Sequence, residues 1–165
     1  MDETQSPSGA VFRDRFARDP EAARITMRAQ AHLEENGICR IDNRSGDKVG
    51  VHRALGGDEA AACSGDILLE PLVACAGVTL SQLARAMEIR LRKAMIRAEG
   101  DLDFRGSLGL SNNVPVGIEQ IRLHFDLDTG ANAEEVSALI RLTQKYCVMS
   151  RTLAPTAEVT YSTQG

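Results

Sequence analysis

Tryptophan is absent from these 165 residues, and aromatics of every kind make up only 4%. A core without Trp has to be filled by Leu, Ile, Val, Ala and Met. Lysine is scarce as well: Lys48, Lys93 and Lys145 stand against sixteen Arg. A permanent planar guanidinium is suited to orienting a carboxylate or an anionic substrate, but the bias alone assigns no site. There is no basic surplus either. The net charge is -4 and the pI about 5.4, which speaks against nucleic-acid binding. Near Met1 no basic stretch leads into an apolar one, so no signal peptide is read and a cytoplasmic location is expected. The longest apolar run, Ile67 to Leu80, is broken by Glu70 and Pro71 and reads as too short for a bilayer. No membrane partner is expected. What remains, 43% apolar and 25% charged residues, is the composition of one ordinary globular domain.

The four cysteines need their own account, because cytoplasmic thiols usually stay reduced. Cys39, Cys63, Cys75 and Cys147 contain no CxxC pair, which excludes a zinc ribbon and a thioredoxin-type motif. His32, His52 and His124 form no HExxH and no Cys/His ligand spacing, so no metal is expected. Cys39 and Cys63 read as small buried hydrophobes.

Residues 1–24 are polar, with Val11, Phe12 and Phe16 as their apolar anchors, and read as an arm ahead of a single domain over 25–165. Partial alternation predicts strands over Ile25–Leu33, Ile38–Asn43 and Lys48–Leu55, joined as an antiparallel meander. After a small-residue loop, apolar residues at three- and four-residue steps predict a helix over about Leu68–Arg90. Leu91–Arg105 reads as a strand with a bulge or turn near Gly100, and Ile118–Leu127 alternates cleanly. Asn132 and Glu135 form a capping-box variant that opens a second helix running to Cys147. Val159 and Tyr161 lie in a last strand. The order βββ-α-ββ-α-β makes the fold class α+β.

Two cysteines occupy special places. Pro71 is best tolerated in a first helical turn, which would put Cys75 about one turn inside, where orphan amides favour a thiolate. Small neighbours Ala74, Ala76 and Gly77 leave room for a substrate, although they also flank cysteines where helices pack closely. Cys147 shares a helical face with Val136, Ile140 and Thr143, so its thiol should point inward. Two inward thiols on two core helices are either a catalytic dithiol, one attacking an oxidant and one resolving it, or two unrelated core residues.

The segments "LLEPLVACAGVTL" and "KYCVMSRTL" resemble the two cysteine motifs of the OsmC/Ohr family of organic-hydroperoxide reductases. "VHRALGGDEAAACSGD" resembles that family's lead into its first catalytic helix, and "LDFRGSLGL…VPVGIEQIRLHFDLDT" a branch of broad OsmC-like proteins. The resemblance covers residues 25–163. It implies an intertwined α+β homodimer, with antiparallel sheets packed around two core helices and active sites at the subunit interface. It further implies that Cys75 attacks the hydroperoxide, that Cys147 resolves the sulfenic acid, and that a dithiol such as a lipoyl protein re-reduces the disulfide. No metal, flavin or haem is implied.

The family also pairs an Arg with a carboxylate beside the thiolate. Asp66 matches the carboxylate, one methylene shorter than the usual Glu, and Arg53 in "VHRALGG" fits one branch's arginine; Arg40 is a loose substitute for the other's. Glu70 stands where the family has a small residue. Facing Cys75 it would raise the thiol's pKa; otherwise it is a solvated or Arg-paired helix-start residue. Val148 replaces the usual Pro, and Arg151 is either an anion contact or a solvated charge. Three functions are thus expected in order: a thiol peroxidase, a non-catalytic dimer binding an apolar small molecule in its cleft, and a cysteine redox sensor.

Overall fold

Residues 121–129 alternate in burial with a period of two, while residues 72, 76, 80 and 84 are buried with the period of a helix face. Together they lay the core's foundation. The computed structural model describes residues 18, 24, 31–33, 39–41, 48–57, 61–153 and 157–164. The chain divides into two compact units at Lys48/Val49, each described by itself below. The expected arm over 1–24 lies outside the described residues, apart from Arg18 and Arg24.

In the N-terminal unit, β1 (Ala31–Leu33) pairs antiparallel with β2 (Cys39–Ile41), with His32 opposite Arg40. Residues 25–30 of the expected first strand lie outside the described residues. Where the C-terminal unit begins, the expected third strand is shorter than predicted: β3 is Lys48–Gly50, and Arg53–Leu55 form a 3₁₀ turn. The turn wins because the His52 carbonyl accepts the amides of Leu55 at 2.8 Å and Gly57 at 3.3 Å, and His52 Nδ1 accepts the Ala54 amide at 3.0 Å. Gly56 follows with φ +82°, and a Cβ on Gly57 would lie 1.6 Å from the Val51 carbonyl oxygen. Glycine is required at both places.

In the C-terminal unit β3 pairs with β4 (Ala62–Cys63) in parallel, with Val49 opposite Ala62. The long helix α1 runs over Ser64–Ala86, starting and ending four residues earlier than predicted. Its end is set by two backbone bonds, Glu88 to the Arg85 carbonyl at 3.2 Å and Ile89 to the Ala84 carbonyl at 2.8 Å, with Glu88 at φ 57°. That is the Schellman pattern with Glu where Gly is usual. Pro71 does not open α1 but sits inside it. Tertiary packing overrides the proline's cost here: Leu72 and Ala76, just beyond it, are fully buried. Because the helix runs on through Glu70 and Pro71, its 23 residues are long and apolar enough by composition to cross a bilayer, contrary to the sequence expectation. It packs instead against β5 (Leu91–Asp101), α3 (Ala133–Tyr146) and α4 (Val148–Leu153). Replacing exposed Pro71 by Ala restores the amide bond to the Ile67 carbonyl. Even after the gain in unfolded-chain entropy, it is expected to stabilise by about 2 kcal/mol, read as a higher urea midpoint.

β5 is followed by one short helical turn, α2 (Phe104–Ser107), where the sequence predicts continued strand to Arg105. The Asp103 side chain caps it by accepting the Arg105 amide at 3.0 Å, and Asp residues favour such turns over strand. β6 (Glu119–Thr129) pairs antiparallel with β5, and the register slips at Gly100, where a bulge is predicted. The β7 strand (Ala157–Gln164) pairs with β6 in parallel, not antiparallel as expected. The α3–α4 connection carries the chain back to the strand's starting end, and a helical crossover of that length suits a parallel pair. The α+β class holds, but both strand groupings include parallel pairs. The core joins Leu72, Ala76, Leu80 and Ala84 of α1 to Ile121, Leu123, Phe125 and Leu127 of β6 and Val136, Leu139 and Ile140 of α3.

Candidate active site

Helix α3 is pinned at its start. The Asn132 side chain accepts the Glu135 amide and Glu135 accepts the Asn132 amide, both at 2.9 Å, completing the predicted capping box. From that fixed start the 3.6-residue period buries Val136, Ile140 and Thr143, and carries Cys147 to the same inward face at 0% exposure. Cys147 ends α3, its amide bonding the Thr143 carbonyl at 2.8 Å. It also opens α4, its carbonyl accepting the Arg151 amide at 3.0 Å. Its sulfur accepts the Ser150 amide at 3.5 Å.

Cys75 lies on α1, half-buried and packed against the same core, and both cysteines are free thiols. The two are neighbours, and the Cys147 side chain is among the groups that hold the Cys75 thiol down. Burial pushes the Cys75 thiol up. The Met149 amide, the Cys147 side chain and the Val148 amide outweigh it, so Cys75 sits below an ordinary thiol, while the Thr79 hydroxyl donates to the Cys75 carbonyl at 2.8 Å. The expected cause is corrected. Cys75 is the twelfth residue of α1, far beyond the first turn in which the macrodipole acts, so its support comes from backbone amides of α4.

A folded state that favours the thiolate gains stability above the ordinary thiol range and loses it as pH falls through the folded value. Half-maximal alkylation of Cys75 by iodoacetamide is therefore expected at lower pH than for a free thiol such as glutathione. Cys147→Ala, which deletes one of those groups, should move that midpoint upward. Equal midpoints for protein and glutathione would contradict the geometry.

The carboxylates are elsewhere. Asp66 is exposed in the first turn of α1, nine residues before Cys75. Nine residues turn a helix by about 180° and advance it by about 13 Å, so the chain does not bring Asp66 to its own Cys75. Asp66 and Glu70 instead line a groove of about 420 Å³ with Val73, Ile96, Arg97 and Glu99. Exposed Glu70 is also turned by about 140° from Cys75, which favours the helix-start reading over the one in which it faces the thiol. Arg53 opens the 3₁₀ turn and Arg40 lies in β2; the side chains of both lie outside the described residues. Arg151 is exposed on α4. Among the described residues, no cluster of three His, Cys, Asp or Glu side chains is placed to hold a metal ion.

Thr79, Met149 and Ser150 escaped the sequence reading, and Val148 was read only as a replacement for Pro. Thr79 left a signal, since it follows Cys75 by four residues and so shares its helix face. The α4 amides left none, because backbone donors have no side-chain signature.

Fold and thiols together define an α+β protein with a reduced cysteine pair seated between its long helix and a short one. The chain belongs to the OsmC-like protein family, whose model matches residues 56–162. No curated protein sequence matches it. Solved structures do. An OsmC-like protein from Mycoplasma pneumoniae is 17% identical with a TM-score of 0.69, over 85% of this chain and 96% of that one. The organic hydroperoxide resistance protein OsmC from Legionella pneumophila is 21% identical with a TM-score of 0.60, over 86% and 98%. An organic hydroperoxide resistance protein from Elizabethkingia anophelis is 18% identical with a TM-score of 0.66, over 86% and 99%. At such identities the likeness is one of fold.

Proposed function

We propose that the chain is a thiol-dependent peroxidase that reduces organic hydroperoxides to alcohols, acting as a homodimer in the cytoplasm. The observation that carries this reading is the closeness of the Cys75 and Cys147 thiols, with amides of α4 favouring the Cys75 thiolate. Family membership and relatives named for organic hydroperoxide resistance support it.

The Cys75 thiolate attacks the outer peroxide oxygen, the O–O bond breaks, and the alkoxide leaves and takes a proton to become the alcohol. Cys75 is now a sulfenic acid. Cys147 attacks its sulfur, water leaves, and a Cys75–Cys147 disulfide forms. A dithiol such as a protein-bound lipoyl group supplies two electrons and returns both thiols. Arg53 orients the peroxide and Asp66 holds the guanidinium. Because Asp66 faces away from Cys75 on α1, this pair serves the thiol of the second subunit. The exposed apolar residues Val78, Tyr146 and Val148, on the elements that carry the thiols, suit burial against that subunit.

The test is direct: reduced protein, cumene hydroperoxide and a dithiol, with peroxide loss followed in time. Turnover above the protein-free rate is expected; its absence sinks the reading. A second reading, binding of an apolar small molecule, is favoured by one observation. A cavity of about 380 Å³ is lined by Leu55, Leu68, Leu102, Phe104, Val116 and Ile118 among others. Protein that binds a fluorescent apolar probe there but leaves peroxide untouched would favour it.

A further inference from the structure

The peroxidase chemistry proposed above leaves one buried donor beside the thiols unused. Ser150 is 7% exposed, and its hydroxyl makes no hydrogen bond among the described residues. A buried hydroxyl without a partner costs stability, so the reduced state is not the one in which this group is used. Its own backbone amide already donates to Cys147 Sγ at 3.5 Å. One rotation about the Ser150 Cα–Cβ bond sweeps the hydroxyl through the space beside that amide.

The burial of the two sulfurs is unequal, and this decides how their disulfide opens. Cys147 is 0% exposed, whereas Cys75 is half-buried. A dithiol can attack only the sulfur it reaches, which is Cys75. A bond then forms between the reductant sulfur and Cys75 Sγ. The Cys75–Cys147 bond breaks, and its electron pair stays on Cys147 Sγ. Cys147 therefore leaves as a thiolate in a fully buried position, where a charge needs hydrogen-bond donors. The Ser150 amide is one donor.

We propose that Ser150 receives this leaving thiolate, its hydroxyl donating to Cys147 Sγ when the dithiol opens the disulfide at Cys75. The proposal rests on the peroxidase reading for its disulfide. To close the cycle, the reductant's second thiolate attacks its own sulfur in the mixed disulfide and releases Cys75. The two protons of the dithiol end on the two protein thiols.

The test compares the full chain with Ser150→Ala and Ser150→Thr. Each is oxidised with diamide and reduced with dithiothreitol in a stopped-flow mixer. In parallel, the thiolate absorbance of variants that keep Cys147 as their only cysteine is titrated with pH. Ser150→Ala is expected to slow reduction by about 10- to 100-fold, the worth of a hydrogen bond to a charged group. It should raise the Cys147 titration midpoint by about one to two pH units, and Ser150→Thr should restore both. The thermal midpoint of Ser150→Ala should not fall, since no resting hydrogen bond is lost; a merely structural serine would do the reverse. Equal reduction rates and an unmoved Cys147 titration overturn the proposal. Diamide forms the disulfide without peroxide, so a chain inactive toward cumene hydroperoxide still tests Ser150. Failure of diamide to join Cys75 and Cys147 overturns the proposal and the peroxidase reading together.

Discussion

Cys75→Ser is expected to lower hydroperoxide reduction by roughly a thousandfold, because an alcohol near neutral pH has no population comparable to a thiolate. Cys147→Ser should behave differently. It should release about one equivalent of alcohol per chain in a first fast phase and then stall, since the first step is complete before the resolving thiol is called on. The difference follows from burial. Cys147 is fully enclosed and Cys75 only partly buried, so a bulky organic hydroperoxide meets Cys75 first. The lowered thiol pKa points the same way, being supported at Cys75 by two amides of α4 and by Cys147 itself. Quantifying alcohol after rapid mixing without reductant separates the two variants. A burst from Cys75→Ser, or none from Cys147→Ser, would exchange or abolish the assigned roles.

Legibility of this fold follows how local each signal is. The alternation of Ile121, Leu123, Phe125 and Leu127 is written in consecutive residues and survives intact as the buried face of β6. The Asn132–Glu135 box spans four residues and holds as a reciprocal pair of bonds, and the face of Val136, Ile140 and Thr143 that follows it gave the inward turn of Cys147. Pro71 misled because a local preference was set against burial of Leu72 and Ala76, and burial won. The parallel β7 depends on where α3 and α4 deliver the chain, which no short window of sequence states. The candidate site divides along the same line. Cys75 and Cys147 were legible as side chains with helix positions. The amides of Val148 and Met149 were not, since any residue there offers the same N–H and only the break between α3 and α4 aims it. Asp66 came from the family resemblance, and its nine-residue spacing turns it away from Cys75 along a continuous helix.

Phe125→Ala is expected to cost about 3–5 kcal/mol, a large share of the roughly 5–15 kcal/mol by which such domains are folded. The scarcity of aromatics makes this position singular. Among the described residues Phe125 is the one buried aromatic, at 0% exposure in the middle strand of β5, β6 and β7. Its surroundings are a cluster of Leu, Ile, Val and Ala on α1, β6 and α3. Ala76 and Ala84 are too small to extend into a vacated ring volume, and residues held on paired strands cannot close in on it, so a cavity should remain. Phe125→Leu keeps most of the volume and should cost only about 1–1.5 kcal/mol. Urea unfolding of the two variants beside wild type measures both values. A loss below about 1 kcal/mol for Phe125→Ala would mean that the core collapses around the site, and that the small side chains, not the ring, set the spacing between α1 and the sheet.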